Sequence, residues 1–497
     1  MCGFVGIYGS KDVAGELYDG LIVLQHRGQD TAGIFTYNGG KMHIRKSEGL
    51  VRDCFRAEHM QRLRGEVGIG HVRYPTVGAG GLEDAQPFTT NSPFGIGLAH
   101  NGNVTNFFQL KKELVEKDQR MINSDCDSEA ILNVFASALR HEDFKRKIKP
   151  EHIFNAVSKV FKRVKGSYSF TAVISGQGII CVRDPYGIKP AIFGKRNSGL
   201  QNDYIFASEQ VVLDTLGYDI VDDLEAGEVI FIDTNKKVHR KVVSSKGLHP
   251  CIFEFIYFAR PDSVLDNISV HKARLRLGNA LGKQIKKVMD KEKLDIDVVM
   301  PVPDSSRSSA MGVSEVIDVK YREGLIKNRY IGRTFIMPGQ AIRKKSIKYK
   351  LNPIPFEIKG KNVLVVDDSI VRGNTSKQII QMIRDAGAKK VYFASAAPKL
   401  ISPCLYGIDI PTRQELIAHS LSVEEIKKAI GSDFLFYQEL KDAIEAVKTE
   451  KSPVKKFCYG CFSGKYPTPE ITEKALKEAE DQRLKAREAR NQLTLLV

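Results

Sequence analysis

Long apolar runs are missing from this 497-residue chain, and cysteine is scarce. Nothing approaches the roughly 18 consecutive apolar residues of a spanning helix, and Met1-Cys2-Gly3-Phe4 lacks a charged segment followed by an apolar one. A cytoplasmic protein with no membrane partner is expected. Eight cysteines are too few for a disulfide scaffold in a chain this long, so in a reducing compartment they remain thiols, nucleophiles or metal ligands. Acidic residues are also in deficit, 59 against 75 basic ones, for a net charge of +16. That excess admits nucleic acid, an anionic membrane or a small polyanionic substrate. It is scattered in short clusters such as Arg343-Lys344-Lys345, without aromatic interleaving and without a zinc-finger or helix-turn-helix pattern, so no nucleic-acid partner is expected.

With 42% hydrophobic and 27% charged residues, the chain can bury a sizeable core and is too long for one compact unit. Up to about Lys241, short strand-like runs (Phe4 to Tyr8, Val67 to His71, Gly95 to His100, Tyr204 to Ala207) mix with a few helices, an α+β pattern. Beyond Pro250 the rhythm changes. A long helical segment, Lys272 to Lys291, precedes the apolar runs Val298 to Pro301 and Val363 to Val366, each followed by a polar turn and a helix, which predicts βα units on a parallel sheet. The polar stretch Ser244-Ser245-Lys246-Gly247 divides the chain into units 2–245 and 246–470. In 471–497, acidic and basic residues alternate at helical spacing from Glu473 to Gln492, predicting a solvated terminal helix.

Cys2 gains meaning from its neighbours. Once Met1 is removed, it carries a thiol and a free α-amine of pKa about 7.7 to 8.0, so one residue supplies nucleophile and base. The strings Cys2-Gly3-Phe4-Val5-Gly6-Ile7, Leu24-Gln25-His26-Arg27-Gly28-Gln29-Asp30, His71-Val72-Arg73-Tyr74-Pro75-Thr76, Ala99-His100-Asn101-Gly102-Asn103 and Ser124-Asp125-Cys126-Asp127-Ser128-Glu129 together resemble the class II glutamine amidotransferase family. The resemblance implies an N-terminal-nucleophile αββα sandwich and a division of roles. Arg73 would pair with the α-carboxylate of glutamine and Asp127 with its α-ammonium. The Asn101 amide and the Gly102 N–H would form an oxyanion hole for attack by Cys2. Taken singly, each has a plainer reading: Arg73 as a surface ion pair, Asp127 as a helix cap, Asn101-Gly102 as a hairpin turn.

The second half must say what receives the ammonia. In Val363 to Ser376 an apolar strand ends in Asp367-Asp368, and a turn of small residues opens a helix at about Thr375. Such a loop offers N–H groups, hydroxyls and a helix N-terminus to a phosphate, while two acidic residues can hold ribose hydroxyls or a Mg²⁺ shell. The string resembles the signature of type I phosphoribosyltransferases, an α/β fold that binds phosphoribosylpyrophosphate (PRPP). The resemblance assigns PRPP binding to Asp367, Asp368, Ser369, Arg372, Gly373, Asn374, Thr375 and Ser376, and Mg²⁺ to Ser305, Asp367 and Asp368. Pro301-Val302-Pro303-Asp304-Ser305-Ser306 is similar to the pyrophosphate loop. Lys327 to Asn352, with Lys327, Arg333 and Arg343, is similar to the flexible loop that closes over the site.

Joined, the halves resemble the glutamine PRPP amidotransferase family, in its iron-sulfur branch. That implies glutamine hydrolysis at Cys2 and transfer of ammonia to Mg-bound PRPP, giving phosphoribosylamine, glutamate and pyrophosphate at the first step of purine synthesis. It also implies a homo-oligomer, a tetramer, inhibited by purine nucleotides, and an ammonia channel near which Tyr74 and Tyr257 are candidates. Cys251, Cys404, Cys458 and Cys461 match the branch's four ligands; four soft thiolates suit a 4Fe-4S cluster or Zn²⁺, and spacing does not choose, so the cluster is expected on resemblance. Two departures stand out. Only Met1 precedes Cys2 where a short propeptide is common, and Lys189 stands where Arg is expected, keeping charge but not bidentate geometry. Cys54, Cys126 and Cys181 read as ordinary thiols. Three rivals are a PRPP-sensing regulator, another class II amidotransferase sharing only the first half, and an amidohydrolase with no acceptor.

Overall fold

The computed structural model describes residues 2–74, 81–142, 147–199, 201–328, 350–481 and 483–484. Up to Val242 the chain builds two stacked antiparallel sheets. The first has seven strands, ordered Asp219–Asp223, Ile192–Asn197, Asn202–Ala207, Gly3–Tyr8, Val67–Arg73, Thr31–Asn38, Lys41–Glu48. The second has six: Val238–Val242, Glu228–Asp233, Gly178–Arg183, Gly166–Ile174, Ile96–Val104, Phe88–Thr90. Alternate residues of each strand point to opposite faces, so both sheets bury apolar side chains on two sides. Phe4, Phe35, Ile69, Val173, Ile179 and Phe206 fill the space between them. The helices Ala14–Val23 and Gln210–Leu216 cover the outer face of the first sheet through Leu17, Leu21 and Val212. Asp127–Arg140 and Pro150–Arg163 cover the second through Phe135 and Val157 against Phe170 and Ile180. Four layers in the order helix, sheet, sheet, helix result, as expected.

The second unit centres on a parallel sheet of Val298–Pro301, Asn362–Asp367, Lys390–Ser395 and Phe434–Tyr437. Its strands are buried on both faces, which is why they read as near-continuous Val, Leu, Ile and Phe. Helices Val270–Glu292 and Arg307–Ile317 pack on one face, and Asn374–Asp385 with Val423–Ile430 on the other. A separate core gathers Ile252, Phe255, Leu277, Tyr406, Phe457 and all four cysteines of the expected cluster.

Two of the plainer readings and one expectation change. Asn101-Gly102 lies inside the strand Ile96–Val104, paired with Ser169 and Tyr168, and is no hairpin turn. Helix Asp127–Arg140 is capped by Cys126, with Asp127 as its first residue. The terminal helix, described to residue 484, is docked rather than solvated: Leu476 is buried, and Arg413 pairs with Glu480 at 2.8 Å and Glu473 at 2.9 Å. Alternating charge hides such docking because one buried leucine anchors it. Arg333 and Arg343 lie outside the described residues, as do Pro75, Thr76 and the stretch 485–492. The ends of the expected flexible loop are described, Leu325–Lys327 pairing antiparallel with Leu351–Pro353.

Candidate active site

Cys2 precedes the central strand Gly3–Tyr8, whose neighbour Val67–Arg73 runs antiparallel with Gly3 opposite Val72. That register delivers Arg73 to the end of the sheet where Cys2 stands. A Cβ on Gly28 would lie 2.5 Å from the Val72 carbonyl carbon, so the glycine of Arg27-Gly28 is required by close approach to this strand. The Cys2 thiol donates to the Tyr74 carbonyl at 3.6 Å, and Arg27 Nε donates to the Cys2 carbonyl at 2.9 Å. Arg73 is buried and paired with Asp84 at 3.1 Å. Burial opposes its charge, and Cys126, Asp84, Cys2 and Asp127 together more than offset that, leaving the guanidinium ionised.

The second sheet supplies the other wall. Gly102 has φ +140°, and a Cβ there would meet the Ser167 carbonyl oxygen at 2.0 Å, so no other residue fits. Asn101 is buried, with Nδ2 2.6 Å from Ser208 Oγ. Asp127 accepts from the Val104 N–H at 2.9 Å and lies 3.7 Å from His100 Nδ1. His100 is held by Ser128 at 3.0 Å, and His71 Nε2 donates to the His100 carbonyl at 3.0 Å, since a carbonyl only accepts. Burial lowers the pKa of both imidazoles, His71 to about 3, keeping them neutral.

In the second unit, Asp367 ends its strand and Asp368 follows. Ser305 donates to Asp368 at 2.6 Å, Ser369 to the same carboxylate at 2.7 Å, and Ser306 to Asp367 at 3.5 Å. Burial pushes both carboxyls up, and repulsion from Asp368 raises Asp367 the further. Gly373, at φ +78°, turns the chain into helix Asn374–Asp385, one residue earlier than the sequence suggested. Lys327 pairs with Asp304 at 3.2 Å, whereas Arg372 pairs with Glu415 at 3.0 Å. Tyr74 reaches this unit through its hydroxyl, 3.4 Å from Asp409 Oδ2, while Tyr257 is part-exposed beside Phe253 and Phe258.

Cys251, Cys404, Cys458 and Cys461 are buried and form no disulfide. Cys251 and Cys458 are bridged backbone to backbone, and the Tyr406 N–H donates to Cys404 Sγ at 3.3 Å. Burial pushes the Cys251 thiol up to about 12 and those of Cys458 and Cys461 well up, and the sulfurs raise one another. Among the described residues no three His, Cys, Asp or Glu side chains form a single-ion site. Lys189 is buried and bears electrostatically on Cys251, Cys458 and His100, so it sits between the cysteines and the first site. Cys126 lies against Arg73 and Asp127, its thiol pushed up to about 12 by burial. Glu209 and Glu254, which accept from the Arg27 guanidinium beside Cys2, lie outside every motif read from the sequence.

Comparison with known proteins agrees with this geometry. Residues 79–215 match the glutamine amidotransferase domain family and 265–403 the phosphoribosyl transferase domain family. The chain is 52% identical over 495 residues to the amidophosphoribosyltransferase of Pseudomonas aeruginosa, covering 99% of this chain and 98% of that one. Identity to the Escherichia coli amidophosphoribosyltransferase is 49%, over 95% of this chain and 93% of the other; to that of Saccharomyces cerevisiae it is 44%, over 97% and 95%. A solved Bacillus subtilis glutamine PRPP amidotransferase, complexed with ADP and GMP, superposes with TM-score 0.82 at 37% identity, covering 95% of this chain and 98% of that one.

Proposed function

This chain belongs to the amidophosphoribosyltransferase family, and on that premise we propose that Cys2 releases ammonia from glutamine and that the Asp367–Asp368 loop presents PRPP to it. The enzyme joins a glutamine amidotransferase to a phosphoribosyltransferase and serves the first step of purine synthesis. One observation carries the residue assignment: the strand register that sets Gly3 opposite Val72 brings buried Arg73 to Cys2, and Cys2 and Asp127, from separate elements, both act electrostatically on its guanidinium. Arg73 then holds the α-carboxylate of glutamine and Asp127 its α-ammonium. The thiolate attacks the side-chain carbonyl, the α-amine of Cys2 takes the proton, and Asn101 with the Gly102 N–H stabilises the oxyanion. Ammonia leaves, and water hydrolyses the thioester.

Buried Asp367 beside half-buried Asp368 suits a cation, and Asp367, Asp368 and Ser305 fit Mg²⁺. A Mg²⁺ held by these residues would supply positive charge toward the pyrophosphate of PRPP. The loop from Ser369 to Ser376 holds the 5-phosphate through N–H groups and hydroxyls at a helix N-terminus. Four buried thiols in one core, with an N–H donated to one sulfur, fit a 4Fe-4S cluster on Cys251, Cys404, Cys458 and Cys461; its part is structural, since the reaction moves no electrons. ADP and GMP bound to the Bacillus subtilis enzyme favour purine nucleotides as inhibitors here. A homo-oligomer, a tetramer by resemblance, and a cytoplasmic location complete the reading.

Pyrophosphate release from PRPP, with glutamine or ammonia as nitrogen source, tests it. Cys2→Ala is expected to lose the glutamine-dependent rate and keep the ammonia-dependent one, and Asp367→Ala to lose both. Parallel loss in Cys2→Ala, or full turnover in Asp367→Ala, overturns the assignment.

A further inference from the structure

Beyond its side-chain neighbours, Cys2 is held by its backbone. Arg27 Nε donates to the Cys2 carbonyl, and the rest of the guanidinium is spent on two carboxylates: Nη1 on Glu209, and Nη2 on Glu254 at 2.9 and 3.2 Å. All three side chains are essentially out of solvent. Arg27 and Glu209 belong to the first unit. Glu254 does not: it opens the turn Glu254–Phe258, whose Phe255 and Ile256 pack into the core that holds Leu277, Tyr406 and the cysteines. The same turn is gripped from its other side by Arg274 of helix Val270–Glu292, which donates to the Phe255 carbonyl at 3.0 Å and the Ala259 carbonyl at 2.8 Å. Glu209 reaches the same stretch, accepting from the Arg260 N–H at 3.0 Å and from Ser263 Oγ at 2.7 Å.

We infer that Glu254, a residue of the phosphoribosyltransferase unit, is a positioning residue for the glutaminase nucleophile, acting through the Arg27 guanidinium on the Cys2 carbonyl. A planar fork bonded on three sides has no freedom to follow a displaced carbonyl, so Cys2 is placed by both units at once. A misplacement of about an ångström at a reacting atom costs on the order of a hundredfold in rate. The inference rests on Cys2 being the nucleophile.

The experiment compares the full-length wild type with Glu254→Gln, which preserves shape and removes the charge, and Arg27→Lys, which keeps a cation but loses the fork. Three readouts are taken: glutaminase kcat and KM, ammonia-dependent pyrophosphate release, and the alkylation rate of Cys2 by a glutamine-site alkylator. Both variants are expected to lose at least tenfold in glutaminase kcat and in alkylation rate. KM for glutamine should stay within threefold and ammonia-dependent synthesis within twofold. Parallel loss of glutaminase kcat and ammonia-dependent synthesis, or a kcat and alkylation rate within twofold of wild type, overturns the inference. Cys2→Ala is the control: if it retains glutamine-dependent synthesis, the assignment of Cys2 fails, not the role of Glu254.

Discussion

His71 shows how a single buried side chain sets the pH range in which the first site survives. It lies opposite Phe4 in the strand pairing beneath Cys2, wholly out of solvent, with its pKa lowered by burial to about 3. A folded pKa below the unfolded value of about 6.5 means that the unfolded chain takes up the proton first. His71 therefore contributes fully above pH 6.5, and its contribution is lost as pH falls toward 3. At 1.36 kcal/mol per unit, about 3 kcal/mol goes between pH 6.5 and 4. His71→Gln keeps a donor for the His100 carbonyl but has nothing to protonate. Urea unfolding at both pH values is expected to show a shallower acid loss in the variant by about that amount; equal slopes would refute the account. His71 was legible as part of a motif, but its neutral state depends on being sandwiched between two sheets, which no local pattern conveys.

At the level of elements, the segment 404–407 ties the two units together. The Leu405 carbonyl accepts from Asn103 Nδ2 at 2.9 Å and the Tyr406 carbonyl from Ser167 Oγ at 3.0 Å. Gly407, at φ +92°, lies so close to the strand Ile96–Val104 that a Cβ would stand 2.4 Å from the Gly102 oxygen. Gly407→Ala must therefore push on Gly102, besides costing roughly 1 to 2 kcal/mol for a left-handed alanine. Glutamine-dependent synthesis is expected to fall at least tenfold, with most ammonia-dependent synthesis retained. Equal decline of the two rates would count against this coupling. Strand and helix positions were read closely from the sequence because their apolar periodicity is strong, Val298–Pro301 among them. Asn101-Gly102 reads as a turn only when taken alone, because the reason for its glycine is the Ser167 carbonyl 65 residues away in the chain, a contact and not a composition.

For the whole molecule, the two-unit plan was visible in separated motifs, whereas the seam between the units was not. Its partners are far apart in sequence: 227 residues separate Arg27 from Glu254, and 83 separate Arg183 from Asp266. Arg183 ends a strand of the six-stranded sheet, and Asp266 sits in the hairpin joining Val264–Leu265 to Ile268–Ser269. They form a two-pronged pair at 2.7 and 2.9 Å, both buried, with Arg183 also donating to the Lys189, Leu224 and Gly187 carbonyls. Removing the charge at Asp266 strands a guanidinium that water cannot reach, which costs about 3 to 5 kcal/mol. Asp266→Ala is expected to lower the denaturant midpoint accordingly. Because the loss falls on the seam, it should also split one unfolding transition into two as the units part company. Arg183→Met combined with Asp266→Leu removes both members of the pair, with buried Asp184 still accepting from the Tyr168, Tyr186 and Ile188 N–H groups, and is expected to recover part of the stability. A double variant no more stable than Asp266→Ala would show that the hydrogen bonds from Arg183 to the three carbonyls, rather than its pairing with Asp266, hold the seam.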